Sequence, residues 1–172
     1  MKYKKVTKNR LEKMRACTDG KDYVVNNCPH TDSIKVVEWL IKENKLDWAN
    51  WLIVRVMERK QYLAYAIYSA EQVIDIYEKK YPDDKRPRNA IKAAEKVLKN
   101  DTKKNRAAAS AAYAAYDAAD AAYAAAAAAY AADAAYAADA AYDAYDAAAA
   151  AYAAKRKMRL KILRYGLRLL RS

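Results

Sequence analysis

Residues 107 to 154 limit what this chain can fold into more than any other part of it: 33 alanines, 8 tyrosines, 6 aspartates and one serine fill the whole stretch. Alanine has the highest intrinsic helix propensity, so the low complexity predicts helix and not disorder. Length then creates a difficulty. One unbroken helix over these residues would reach about 72 Å at 1.5 Å per residue, whereas a compact chain of this size has a radius of gyration of about 16 Å. The tyrosine phase suggests an answer. At about 100° per residue, Tyr113, Tyr116, Tyr123 and Tyr130 share one side, Tyr136 falls nearly opposite, and Tyr142, Tyr145 and Tyr152 return. The stripe slips near 131–136, where Asp133 suits an N-cap, so an interruption and two antiparallel helices are expected, with Asp117 the second choice of break.

The remaining chain also reads as helical. Phenylalanine is absent, glycine occurs only twice among 172 residues, and no segment alternates with period two. The expected fold class is all-α: a multi-helix bundle with an Ala/Tyr-rich long helix or helical hairpin and a basic C-terminal helix. A single domain covering 1–172 is expected, in four parts: a basic N-terminal helix and loop (1–31), a helical core (32–99), the alanine-rich helices (107–154) and a basic amphipathic helix (155–172). Within the first part, Val6, Leu11 and Met14 offer a loose apolar face, and "TDGKDYVVNNCPHTDS" (18–33) has the Gly, Asn, Pro and Asp content of a loop, with room for a short element to interrupt it. Asp32 or Ser33 can cap the next helix, which aligns Ile34, Val37, Leu40 and Ile41. Asp47 suits the following cap, ahead of a face with Trp48, Trp51, Leu52 and Val56. From Gln61 to Lys79, Ala66, Ala70, Val73 and Tyr77 recur at helical steps, ending at "YPDDKRP". Pro87 fits the first turn of the helix that follows.

A net charge of +12 points toward an acidic partner, a nucleic acid or a membrane surface as the contacts to weigh. No apolar segment follows the basic "MKYKKVTKNR", and outside the aspartate-bearing alanine tract no apolar run reaches the roughly 20 residues that span a bilayer. With only Cys17 and Cys28, a disulfide scaffold is not expected, and the simplest location is the reducing cytoplasm.

Sites for chemistry are sparse. Cys17, Cys28 and His30 have a spacing that fits no tight zinc pattern and lack a fourth ligand, so no metal or other cofactor is expected. No third group is placed to orient His30 toward a cysteine nucleophile, and there is no Gly-rich phosphate loop. An enzyme is not expected. Ice binding requires an even array of small groups, usually threonine with alanine; the tract has no threonine, and its tyrosines are bulky and out of step. Asp83 and Asp84 are assigned to pairing with Arg86 and Arg88 at the helix start marked by Pro87, and Trp48 and Trp51 to packing. The partner-binding candidates are Lys157, Lys161, Arg164, Arg168 and Arg171, which step by 4, 3, 4 and 3 along one helical face. Opposite them lies an apolar arc from Met158 to Leu170 that should pack against the bundle. Such a cationic face is open to phosphates, to an acidic protein or to water.

The blocks "ACTDGKDY" (16–23), "LDWANWLIVRVM" (46–57) and "AIYSAEQVIDIYEKKYPDDKRPRNAIKAAEKV" (66–97), followed by the alanine-rich tract and a basic terminal helix, resemble the immunity proteins of bacterial polymorphic toxin systems, in their alanine-rich, all-helical branch. The resemblance implies a small, non-enzymatic cytoplasmic protein that binds a toxin effector and neutralises it. The alternative reading is a basic phage anti-defence or nucleic-acid-associated protein. A charge of +12 departs from the acidic character of immunity proteins that mimic nucleic acid against nucleases.

Overall fold

The computed structural model describes residues 5–72, 74–109 and 141–172. The expected interruption near 131–136, with Asp133 or Asp117 as its cap, lies outside the described residues, as does Val73. Within them the chain is all-α, with one isolated antiparallel bridge between Lys5 and Asp32. It divides into two compact units, Met1–Tyr65 with Met158–Ser172 and Ala66–Lys157.

The first unit begins with α1 (Lys8–Lys13), where Thr7 Oγ1 accepts the Arg10 N–H and buried Leu11 faces inward. Next comes α2 (Thr18–Asn27), in the stretch whose composition predicts a loop. Burial of Gly20 and Val24, one turn apart, supplies the tertiary contact that outweighs the turn-forming residues around them. A Cβ on Gly20 would sit 3.4 Å from the Trp48 ring, so the small residue lets α2 lie close to that indole. The following helix, α3 (Ser33–Lys42), is capped by Asp32, whose Oδ1 accepts the N–H groups of Ile34 and Lys35, both at 3.1 Å. Its buried face holds Ile34, Val36, Val37 and Leu40, while Ile41 is only half-buried.

Helix α4 (Leu46–Val56) starts from Lys45 and not from Asp47, which falls in the first turn, where its charge opposes the positive end of the helix dipole. Leu46, Ala49, Leu52, Ile53 and Val56 form its buried stripe, and Trp48 and Trp51 sit half-buried beside it. Helix α5 (Arg59–Glu71) opens with Gln61 Oε1 accepting the Glu58 N–H, the reach-back half of a capping box. The Gln61 amide also donates to the Leu169 carbonyl at 2.6 Å. Tyr65 is buried, donates its hydroxyl to Asn50 Oδ1 at 2.7 Å, and has its pKa pushed up to about 12 by that burial.

In the second unit the helical run expected from Gln61 to Lys79 is divided between α5 and α6 (Ile74–Lys80). The apolar period continues across the division, so the sequence pattern carries no mark of it. Ile67, Ile74, Ile91 and Val97 are buried, whereas Ala66 and Ala70 are half-buried. Helix α7 (Arg86–Lys99) carries Pro87 in its first turn, buried, and Lys96 and Lys99 in its last, where their charge suits the C-terminal dipole. Residues 103–109 are helical, with Thr102 Oγ1 accepting the Asn105 N–H.

The last helix, α8 (Ala141–Arg171), joins what the sequence presents as two parts. No cap or proline separates the end of the alanine tract from the basic segment, and both are composed of strong helix formers. In its C-terminal half Leu163, Leu167 and Leu170 enter the core of the first unit together with Val36, Val37, Leu40, Leu52 and Ile53. Burying one such side chain contributes about 1.5–3 kcal/mol.

Candidate protein-binding surface

The cations at 157, 161, 164, 168 and 171 are all exposed on α8. Across the helix from them Leu163 is 1% exposed and Gly166 is buried, so the apolar arc is packed as its width predicted. Two members of the stripe are engaged at home. Arg171 forms an ion pair with Glu38, and the Arg168 guanidinium lies 5.5 Å from the Tyr165 ring centroid. Lys157, Lys161 and Arg164 make no ion pair among the described residues. On the flank, Arg159 pairs with Asp47 at 3.0 Å. The result is a row of solvated positive charges on a helix whose opposite side is anchored, which leaves them free to meet carboxylates or phosphates.

A second surface was not legible as a site in the sequence. Tyr23 on α2, Trp39 on α3 and Trp48 on α4 meet with ring centroids 5.4 Å (Tyr23–Trp39) and 5.3 Å (Tyr23–Trp48) apart. Lys45 Nζ lies 5.1 Å from both the Tyr23 and Trp48 rings, and the Arg55 guanidinium stacks 4.0 Å from Trp51. Partial burial, and then the neighbouring Glu43 carboxylate, hold the Tyr23 hydroxyl above the usual phenol range; it donates to Glu43 Oε2 at 3.2 Å. Beside these rings opens a groove of about 360 Å³ bounded by α1, α2, α3 and α4. Trp48 and Trp51 pack against the core with part of their surface, as expected, and line the groove with the rest. Sequence reasoning missed Tyr23, Trp39, Lys45 and Arg55 because a loop was expected around Tyr23, and the cations come near the rings only through folding.

The acidic and basic residues between α6 and α7 pair differently from the expectation. Asp84 does hold Arg86: its Oδ1 accepts the backbone N–H at 3.0 Å and Nε at 2.8 Å, and its Oδ2 accepts from Nη2 at 2.7 Å. Arg88 turns instead to Glu78, with Nε to Oε1 at 2.9 Å and Nη2 to Oε2 at 2.6 Å, and reaches Asp75 at 3.2 Å. Asp83 is exposed and is not Arg88's partner. The fork hydrogen bond from Arg88 is the main reason the Glu78 carboxyl is held below its ordinary range. These pairs fasten α6 to α7, which is a structural task.

Cys17 and Cys28 are free thiols, and no cluster of three metal-ligating side chains occurs among the described residues. No helix among the described residues is long and apolar enough to cross a membrane.

The fold and these surfaces define an all-α, strongly basic chain with a cationic helix face and an aromatic-lined groove. The chain belongs to the family described as "Imm-5 like putative immunity protein", whose model matches residues 53–164. The match takes in α5, α6 and α7, the alanine tract and α8 as far as Arg164. Of the sequence blocks that resemble immunity proteins, 66–97 lies inside it and 16–23 before it. The groove is thus built largely by residues that precede the family segment. No curated protein and no solved structure matches the chain.

Proposed function

We propose that this protein is a non-enzymatic inhibitor that binds a toxin effector in the cytoplasm and covers its working surface. Family membership supports an immunity role, and the observation that carries the mode of action is the row Lys157, Lys161 and Arg164, exposed and without an internal ion pair among the described residues. Such a row presents positive charge to a carboxylate-bearing surface of the effector, speeding encounter and fixing orientation. Arg168 and Tyr165 extend it with the two residue types that most often anchor protein interfaces.

The test is co-expression with a panel of bacterial toxin-domain proteins, beginning with any that is encoded beside this one. Restored growth and a stoichiometric complex support the proposal; unrestored growth with no complex overturns it. The same cationic row would also suit a nucleic acid, which a binding titration with random DNA and RNA separates. A steep loss of affinity with salt in that titration, with no effector bound, replaces the protein partner by a nucleic acid.

A further inference from the structure

The groove in the first unit has no part in the α8 contact, yet its make-up is specific. It is lined by Leu11, Val24, Leu40, Leu52, Trp48 and Trp51. One carboxylate, Asp47, is part of the lining and is paired with Arg159; of those close by, Glu43 accepts the Tyr23 hydroxyl and Glu12 pairs with Lys21 at 3.3 Å. Three cations beside the rings keep no carboxylate partner among the described residues, although Arg55 Nη1 also donates to the Trp51 carbonyl at 2.9 Å. Arg15 lines the groove, Lys45 lies over Tyr23 and Trp48, Arg55 lies over Trp51, and none of the three forms an ion pair among the described residues. We infer that this groove seats an apolar side chain carried on an acidic segment of a protein partner, the Trp48 and Trp51 rings gripping the anchor while Arg15, Lys45 and Arg55 receive its flanking carboxylates.

Charge decides between occupants. A second copy of this chain would bring another +12 against the same cations, so self-association through the groove is opposed. Nucleic acid supplies the negative charge but its bases carry polar edges and no apolar side chain, whereas the lining between α1 and α4 is mostly apolar. Half-buried tryptophans beside stacked cations are the residue types that dominate binding energy at protein interfaces. The inference rests on the reading of this chain as a binder of an effector protein and names a contact beyond α8.

The probe is a displayed library of random 12-residue peptides, selected on the full chain and counter-selected on Cys17→Trp, which places an indole in the groove from an exposed position. Peptides that survive should carry one Leu, Ile, Phe or Trp between Asp or Glu residues. Replacing that anchor by Ala should weaken binding roughly tenfold or more, the scale of a lost interface anchor. In a Cys28→Ser background, bound peptide should slow labelling of Cys17 by a maleimide. The pair Lys45→Glu with Arg55→Glu should weaken the same peptides with the melting temperature held, which also guards against a misfolded Cys17→Trp. Peptides that bind wild type and Cys17→Trp equally, or an enriched set without acidic residues, would overturn the inference. So would protection of Cys17 by oligonucleotide and not by peptide. Failure here leaves growth rescue by co-expression untouched, whereas failure of rescue with the peptide result intact removes the effector and keeps the groove.

Discussion

Two residues that are not glycine end helices in the left-handed conformation. Arg15 has φ 58° and Asn44 φ 56°, both just past a helix. In each case the chain closes with paired backbone bonds, Ala16 N–H to Leu11 O with Arg15 N–H to Glu12 O, and Lys45 N–H to Leu40 O with Asn44 N–H to Ile41 O. This is the Schellman arrangement, in which glycine normally holds the left-handed position. Asparagine tolerates it; arginine has only steric cost there. Arg15→Gly is therefore expected to stabilise the protein by about 1 kcal/mol, read as a higher urea midpoint with an unchanged slope. Gly166 is the reverse case. A Cβ there would lie 2.6 Å from Tyr65 Cε2 and 2.7 Å from Ile53 Cδ1. Gly166→Ala should thus lower stability by about 1–3 kcal/mol although alanine is the better helix former, and a denaturant melt decides the sign.

At the scale of elements, the cap at Asp32 and the proline in the first turn of α7 were legible because each works through atoms close by in sequence. The α2 helix was not legible, since its stability comes from Gly20 and Val24 meeting other helices. The clasp between α6 and α7 is also tertiary: Arg88 passes over Asp83 to reach Glu78, whose carboxylate is ten residues away in sequence but arrives in fork geometry. Glu78 is lowered from its ordinary value of 4.5, chiefly by the Arg88 hydrogen bonds. A lowered folded value means that the contribution is complete above the ordinary value and is lost as pH falls through the folded one. The melting-temperature gap between wild type and Arg88→Gln should accordingly be widest near neutral pH and close in acid. A gap that widens below pH 4 would reject the clasp as the source.

For the whole molecule, the working quantity is how the +12 charge is distributed. Charge reversal at Lys161 and Arg164 removes no ion pair among the described residues, so it should shift stability by no more than about 0.5 kcal/mol. If α8 meets the effector, the same pair should slow association and flatten its salt dependence, measurable by stopped-flow or surface plasmon resonance on the effector complex. Unchanged association kinetics would assign the face to water.

The sequence by itself determined the helical class, the amphipathic division of α8 and the family, because helix propensity, a 3.6-residue period and block order are all written along the chain. Tertiary structure alone decided that Trp48 and Trp51 line a groove beside Lys45 and Arg55, that Arg88 chooses Glu78, and that α2 is helical. Each depends on residues distant in the chain being brought within a few ångströms of one another, and no local pattern records such a distance.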